Sequence, residues 1–108
     1  MNFRKVIAIF RSSQLETVEK RLRSLRVNGV SVTEVKGYGE YANFYESDWL
    51  CTHVRIEIFT SKLKADEIAK AIMEAAHTGI KGDGIVAIMP AESVYRIRTK
   101  ESYQDDAC

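Results

Sequence analysis

His77-Thr78-Gly79-Ile80-Lys81-Gly82-Asp83-Gly84 is where a helical pattern stops and a strand begins. Before it, Ile68, Ala71, Ile72 and Ala75 recur at helical spacing, and Asp66 and Glu67 read as the first turn, favourable against the helix dipole. After it, Ile85-Val86-Ala87-Ile88-Met89 is a β-branched, apolar run that reads as a fourth core strand stopped by Pro90. Gly79 closes the helix. Glycine at 79, 82 and 84 lets the backbone turn tightly, approach a ligand closely and present N–H groups to a phosphate. Taken alone, the same glycines also suit a helix C-cap and an ordinary turn.

The same order of elements appears earlier in the chain. Lys5-Val6-Ile7-Ala8-Ile9-Phe10 reads as a central strand buried on both faces. Ser13-Gln14-Leu15-Glu16 has the form of a capping box, and Leu15, Val18, Leu22 and Leu25 follow as a helical stripe that Asn28-Gly29 ends. Val30-Ser31-Val32-Thr33-Glu34-Val35 and Val54-Arg55-Ile56-Glu57-Ile58-Phe59 alternate with a period of two, each a strand with one buried face. Between them residues 40 to 52 carry Tyr41, Phe44, Tyr45 and Trp49 without a clean period, a long loop of the kind that is often functional. Val94-Tyr95-Arg96-Ile97-Arg98 reads as a short fifth strand at an edge, and residues 101–108 as a flexible tail.

The order βαββαβ plus a small strand predicts an α+β, ferredoxin-like domain over residues 1–100, with two helices on one face of an antiparallel sheet. The other face has no helical cover, so a second subunit is its natural lid. This fold by itself specifies no function.

Composition narrows the classes. The chain has 108 residues, enough for one domain and one modest core, and 45% of them are hydrophobic. A net charge of +1 with mixed signs argues against a nucleic-acid partner. Arg21, Arg23 and Arg26 read as a solvated helix face. No apolar run suits a membrane span or a signal peptide, which predicts a cytoplasmic protein without membrane insertion. Cys51 and Cys108 have no metal-ligand spacing and read as reduced thiols, with a redox link between them as the alternative.

Arg96 and Arg98 stand on alternate positions, where guanidinium forks suit phosphates. No Ser/His/Asp or Cys/His set stands out, His53 and His77 lie in separate segments, and no catalytic or metal-binding residue is assigned. An acylphosphatase-like enzyme would need a glycine-rich loop after Ile9-Phe10, which is missing.

Val32-Thr33-Glu34-Val35-Lys36-Gly37-Tyr38-Gly39, Val54-Arg55-Ile56-Glu57-Ile58, Thr78-Gly79-Ile80-Lys81-Gly82-Asp83-Gly84 and Val94-Tyr95-Arg96-Ile97-Arg98-Thr99 together resemble the PII signal-transduction proteins, in order and at near-family spacing. The resemblance implies a homotrimer with adenine-nucleotide sites in the clefts between subunits. Gly37, Tyr38 and Gly39 would line one wall, Gly82, Asp83 and Gly84 would cradle phosphates, and Arg96 and Arg98 would reach them across the subunit boundary. Ile9 and Ser31 match positions near the base.

The departures from that pattern carry information too. Ile85 stands where the family commonly has a lysine, His53 where it has another, and Glu40-Tyr41 where it has an arginine-glutamine pair. Each lost charge-assisted contact is worth roughly 1.5–3 kcal/mol, and the γ-phosphate suffers most. The resemblance then implies ADP or AMP ahead of ATP, no 2-oxoglutarate sensing of the usual kind, and a loop (the T-loop of the family) without the context for uridylylation. Short, divergent loops resemble PII-like proteins of inorganic-carbon handling, some carboxysome-associated. There His53, Arg55 and the Gly39 amide would hold a small anion such as bicarbonate, and the regulated partner would be a bicarbonate transporter or carboxysome-linked protein. A nitrogen regulator sensing ATP and 2-oxoglutarate, and a trimeric adaptor without nucleotide, are the alternatives.

Overall fold

Residues 2–35 and 52–103 are described by the structure, a computed structural model of the chain. β1 (Phe3–Arg11) passes through a 3-10 turn, Ser12–Gln14, into α1 (Leu15–Ser24), and β2 (Ser31–Val35) follows. β3 (His53–Ser61), α2 (Lys62–Ala76) and β4 (Gly84–Ala91) form the second half, and β5 (Tyr95–Arg96) and β6 (Glu101–Ser102) make a separate hairpin. The main sheet has the order β2-β3-β1-β4 with every neighbouring pair antiparallel, the ferredoxin-like arrangement.

Alternation along the strands sorts the side chains. Val6, Ala8 and Phe10 of β1 and Val54, Ile56 and Ile58 of β3 form the core with Val18 and Leu22 of α1 and Ala65, Ile68, Ile72 and Ala76 of α2. The opposite face carries Lys5, Ile7, Ile9 and Arg11 of β1 beside Arg55, Glu57 and Phe59 of β3, and no helix among the described residues covers it. β1 is central as expected, yet only its helix-side face is fully buried; Ile7 and Ile9 are half-buried.

Several boundaries differ from the sequence reading, each for a physical reason. Ser13 caps nothing, because residues 12–14 close a 3-10 turn and the N-cap position falls to Gln14, which makes no side-chain capping bond. α1 stops before Asn28-Gly29. The Val27 N–H donates to the Leu22 carbonyl at 3.1 Å and the Arg26 N–H to the Arg23 carbonyl at 3.0 Å, a Schellman motif in which Arg26 takes the left-handed position at φ 63°. α2 begins a turn early, after Ser61, so Asp66 and Glu67 lie beyond its first turn.

β2 is an edge strand whose predicted buried face is open, Val32 being 48% exposed. β4 is the other edge, and Pro90 sits inside it opposite Arg4 instead of stopping it, since an edge strand can spare one ladder donor. Of the predicted fifth strand only Tyr95–Arg96 pairs, and its partner is Glu101–Ser102. The first residues assigned to a tail are therefore β6, and residues 104–108 lie outside the described part of the chain.

Candidate functional site

The glycine-rich segment hangs at the end of the sheet where β1 finishes, and Asp83 organises it. Its carboxylate accepts from the Thr78 N–H and the Gly79 N–H, both at 2.9 Å, from the Thr78 hydroxyl, and from Arg11 Nε at 3.4 Å. Partial burial pushes the Asp83 carboxyl up, but the Thr78 hydroxyl and amide, the Gly79 amide and Arg11 outweigh it and hold the pKa at about 2, against an ordinary 3.8. Asp83 is thus occupied within its own loop.

Two side chains tie this loop to the sheet. Arg11, 9% exposed at the end of β1, donates from its terminal guanidinium nitrogen to the Lys81 carbonyl at 2.7 Å. His53, 4% exposed and the first residue of β3, lies opposite Arg11 in the sheet and places Nε2 2.9 Å from the Gly82 carbonyl. A carbonyl only accepts, so Nε2 carries the proton and donates. The Ser12 N–H donates to the Thr52 carbonyl at 3.0 Å, and the Ser12 and Thr52 hydroxyls meet at 2.5 Å, fastening the base of the segment that precedes β3.

The glycines have separate reasons. Gly82 is buried with φ 98° and Gly79 has φ 83°. Gly84, at φ 119°, runs so close to β1 that a Cβ there would lie 1.8 Å from the Ile9 carbonyl oxygen. Its missing side chain is demanded by strand packing before any ligand is considered.

The remaining predicted site residues separate into groups. Ile9 and Ile85 are paired across β1 and β4 on the uncovered face, with Arg55 on the other side of Ile9. Ser31 is exposed on β2 opposite Glu57. Arg55 Nε is buried and 3.4 Å from Glu57 Oε1, an ion-pair distance without hydrogen-bond geometry. Glu57 receives Lys5 Nζ at 2.7 Å, and that contact, opposed by desolvation and helped by the charges of Lys5 and Arg55, lowers its pKa.

Arg96 and Arg98 are exposed and lie elsewhere. The Arg96 guanidinium sits 4.8 Å from the centre of the Tyr103 ring, and Tyr103 meets Phe3 edge-on at 6.4 Å. Phe3 begins β1 and Arg11 ends it, so the arginine hairpin and the glycine loop are separated by nearly the full strand, about 26 Å. Within one chain the two cannot share a ligand. Gly37, Tyr38, Gly39, Cys51 and Cys108 lie outside the described residues.

His53 belongs to the sheet and not to the long loop before it. It is a buried residue of β3 whose Nε2 is taken by Gly82, and so this nitrogen is closed to an anion. The sequence reading ends β1 at Phe10 and gives Arg11 no role. The period of β1 extended by one step puts it on the same face as Ile9, and that was the signal available. Among the described residues no three His, Cys, Asp or Glu side chains gather as a metal site, and no helix is long and apolar enough to cross a membrane.

Comparison with known proteins gives a consistent result. The family model described as nitrogen regulatory protein P-II matches residues 3–101. The chain is 34% identical over 110 residues to the nitrogen regulatory protein P-II of Azospirillum brasilense, covering 94% of this chain and 97% of that one. It is 37% identical over 111 residues to that of Cyanidium caldarium, covering 95% and 97%. The structure superposes on Arabidopsis thaliana PII bound to citrate with a TM-score of 0.81 at 33% identity, over 95% of this chain and 90% of that one.

Proposed function

From the premise that the chain belongs to the nitrogen regulatory protein P-II family, we propose that it is a signalling protein that binds an adenine nucleotide in clefts between three copies of itself. ADP or AMP binds ahead of ATP. Occupancy changes the segment between β2 and β3, which a partner protein reads.

The observation that carries this reading is the glycine loop, held rigidly at one end of β1 with exposed arginines at the other. A neighbouring copy brings Arg96 and Arg98 to the loop that its own chain keeps out of their reach. Two features of the loop end support the preference for fewer phosphates. Ile85, 42% exposed, puts an apolar side chain where a lysine would meet the terminal phosphate. His53 turns its Nε2 inward to the Gly82 carbonyl and away from a ligand.

A small anion, bicarbonate, is the second ligand in this proposal, and Arg55 is its charged contact, with the Gly39 amide beside it. The solved relative bound to citrate holds a small carboxylate anion. The partner then belongs to inorganic-carbon metabolism, a bicarbonate transporter or a carboxysome-linked protein, and the protein works in the cytoplasm. The regulatory relatives favour one other reading, a nitrogen sensor for ATP and 2-oxoglutarate.

Calorimetric titration with AMP, ADP and ATP, each with and without bicarbonate and 2-oxoglutarate, separates the two. ADP or AMP should bind more tightly than ATP, and bicarbonate should tighten binding further. Replacing Arg96 and Arg98 together by Ala should weaken ADP by about a hundredfold or more, two charge-assisted contacts being lost. ATP binding strengthened by 2-oxoglutarate would instead establish the nitrogen sensor, and full affinity in the double variant would overturn the assigned site.

A further inference from the structure

Arg11 and His53 hold two consecutive carbonyls, those of Lys81 and Gly82, at 2.7 and 2.9 Å. Successive carbonyls of an extended chain point to opposite sides. Here Gly82, at φ 98°, turns them so that both meet side chains from the end of the sheet. A trans peptide unit is planar, and its N–H points opposite to its C=O. The Lys81 carbonyl shares its peptide unit with the Gly82 N–H, and the Gly82 carbonyl shares its unit with the Asp83 N–H. Holding both carbonyls toward Arg11 and His53 therefore aims both N–H groups the other way. Lys81 and Gly82 are the centre of a turn in which the Asp83 N–H faces the Ile80 carbonyl without a well-formed hydrogen bond, and the Gly82 N–H donates to no acceptor among the described residues. Two neighbouring amides without a well-formed hydrogen bond of their own are the makings of an anion nest.

We infer that Arg11 and His53 are positioning residues for phosphate: they touch no ligand themselves but fix the direction of the Gly82 and Asp83 N–H groups that do. The inference rests on the proposed nucleotide site and says how that site is built. A loop with free peptide planes would have to order them on binding, and the two side chains remove that cost beforehand. The lysine expected at position 53 would give a mobile cation facing the ligand. The imidazole gives a short, rigid donor facing the backbone.

His53 also begins the strand that follows residues 36–51, and Thr52 beside it is bonded to Ser12. The residue that sets a phosphate-facing amide is thus the residue at which that long segment ends. A phosphate pulling on the Asp83 N–H acts on the Gly82 carbonyl, and through it on the start of β3.

The test uses the full-length protein, its His53→Ala and His53→Gln variants, and three probes: ADP, adenosine and pyrophosphate. Glutamine keeps a side-chain N–H at similar reach, alanine keeps none. Calorimetry should show ADP weakened about tenfold by His53→Ala, adenosine unchanged, and ADP restored by His53→Gln. In amide-resolved NMR, pyrophosphate should shift the Gly82 and Asp83 N–H signals of the wild type and of His53→Gln but not those of His53→Ala. Arg11→Lys, which keeps the charge but loses the fork, should weaken ADP in the same selective way.

Equal ADP affinity in wild type and His53→Ala overturns the inference and leaves the nucleotide reading standing. Parallel loss of ADP and adenosine also overturns it, since that is a general folding effect. If pyrophosphate moves the two amides while ADP fails to bind, the nest stands and the nucleotide reading falls. If neither probe acts, both fall.

Discussion

Asp83 shows how a single carboxylate can serve the fold in a segment that reads as a ligand motif. Its pKa is depressed from 3.8 to about 2, so the folded chain holds the charged form more tightly than the unfolded chain does. Stability from Asp83 is therefore fully present above the ordinary carboxylate range and drains away as pH falls from about 5 toward 2. Thermal melts across that window should show the wild type losing stability. Asp83→Asn should start about 1–2 kcal/mol lower near neutral pH and fall less steeply on acidification. Equal slopes in the two proteins would mean that Asp83 does not bear the load assigned to it. Gly84 makes a related point from the other side: a glycine inside a phosphate-loop pattern is required by the Ile9 carbonyl of its own sheet.

At the scale of elements, α1 ends on a strained residue. A non-glycine side chain at φ 63° costs about 1 kcal/mol relative to glycine, and Arg26 occupies that position while Gly29, three residues on, lies where an added Cβ would meet nothing within 4 Å. Arg26→Gly should raise stability by about 1 kcal/mol in denaturant unfolding, with the hydrogen bonds of the Schellman turn unchanged. A loss of stability would assign Arg26 a compensating contact. The same turn explains what the sequence could and could not tell. The periodicity of Val6 and Ala8, of Val18 and Leu22, and of Ile68 and Ile72 reports buried faces and placed α1, α2 and β1 to β4, while the open faces of β1 and β2 and the strand β6 were not legible in it. Ends are fixed by backbone geometry, which Arg26 and Pro90 take up against their ordinary preferences. In the site, glycines at 82 and 84 were legible as types. The bonds from Arg11 and His53 to carbonyls were not, because every residue has a carbonyl and the sequence cannot say which one a side chain will find.

On the scale of the whole molecule, the groups proposed to face phosphate divide between the two ends of β1. The glycine loop stands beside Arg11, and the hairpin with Arg96 stacks through Tyr103 onto Phe3. The face between them is laid with Ile7, Ile9 and Phe59 and the Lys5–Glu57 ion pair, and no part of the chain covers it among the described residues. If ligand binding needs both ends, the contact between copies must be head-to-tail. Such a contact is heterologous: it cannot be satisfied by a simple two-fold pair and closes as a ring.

That separation has a genetic meaning. In a ring every pocket is owned jointly, half by each neighbour, so a chain damaged at its loop or at its arginines spoils one half of one pocket and leaves its other half sound. Chains lacking Arg96 and Arg98, mixed and reassembled with chains whose His53 has become Ala, should rebuild pockets that are whole, each formed from the sound half of both parents. ADP binding in the mixture should exceed that of either parent alone. A mixture no better than its components would place both halves of the pocket within one chain. A mixture that exceeds both parents would mean that two defective alleles complement each other by geometry alone.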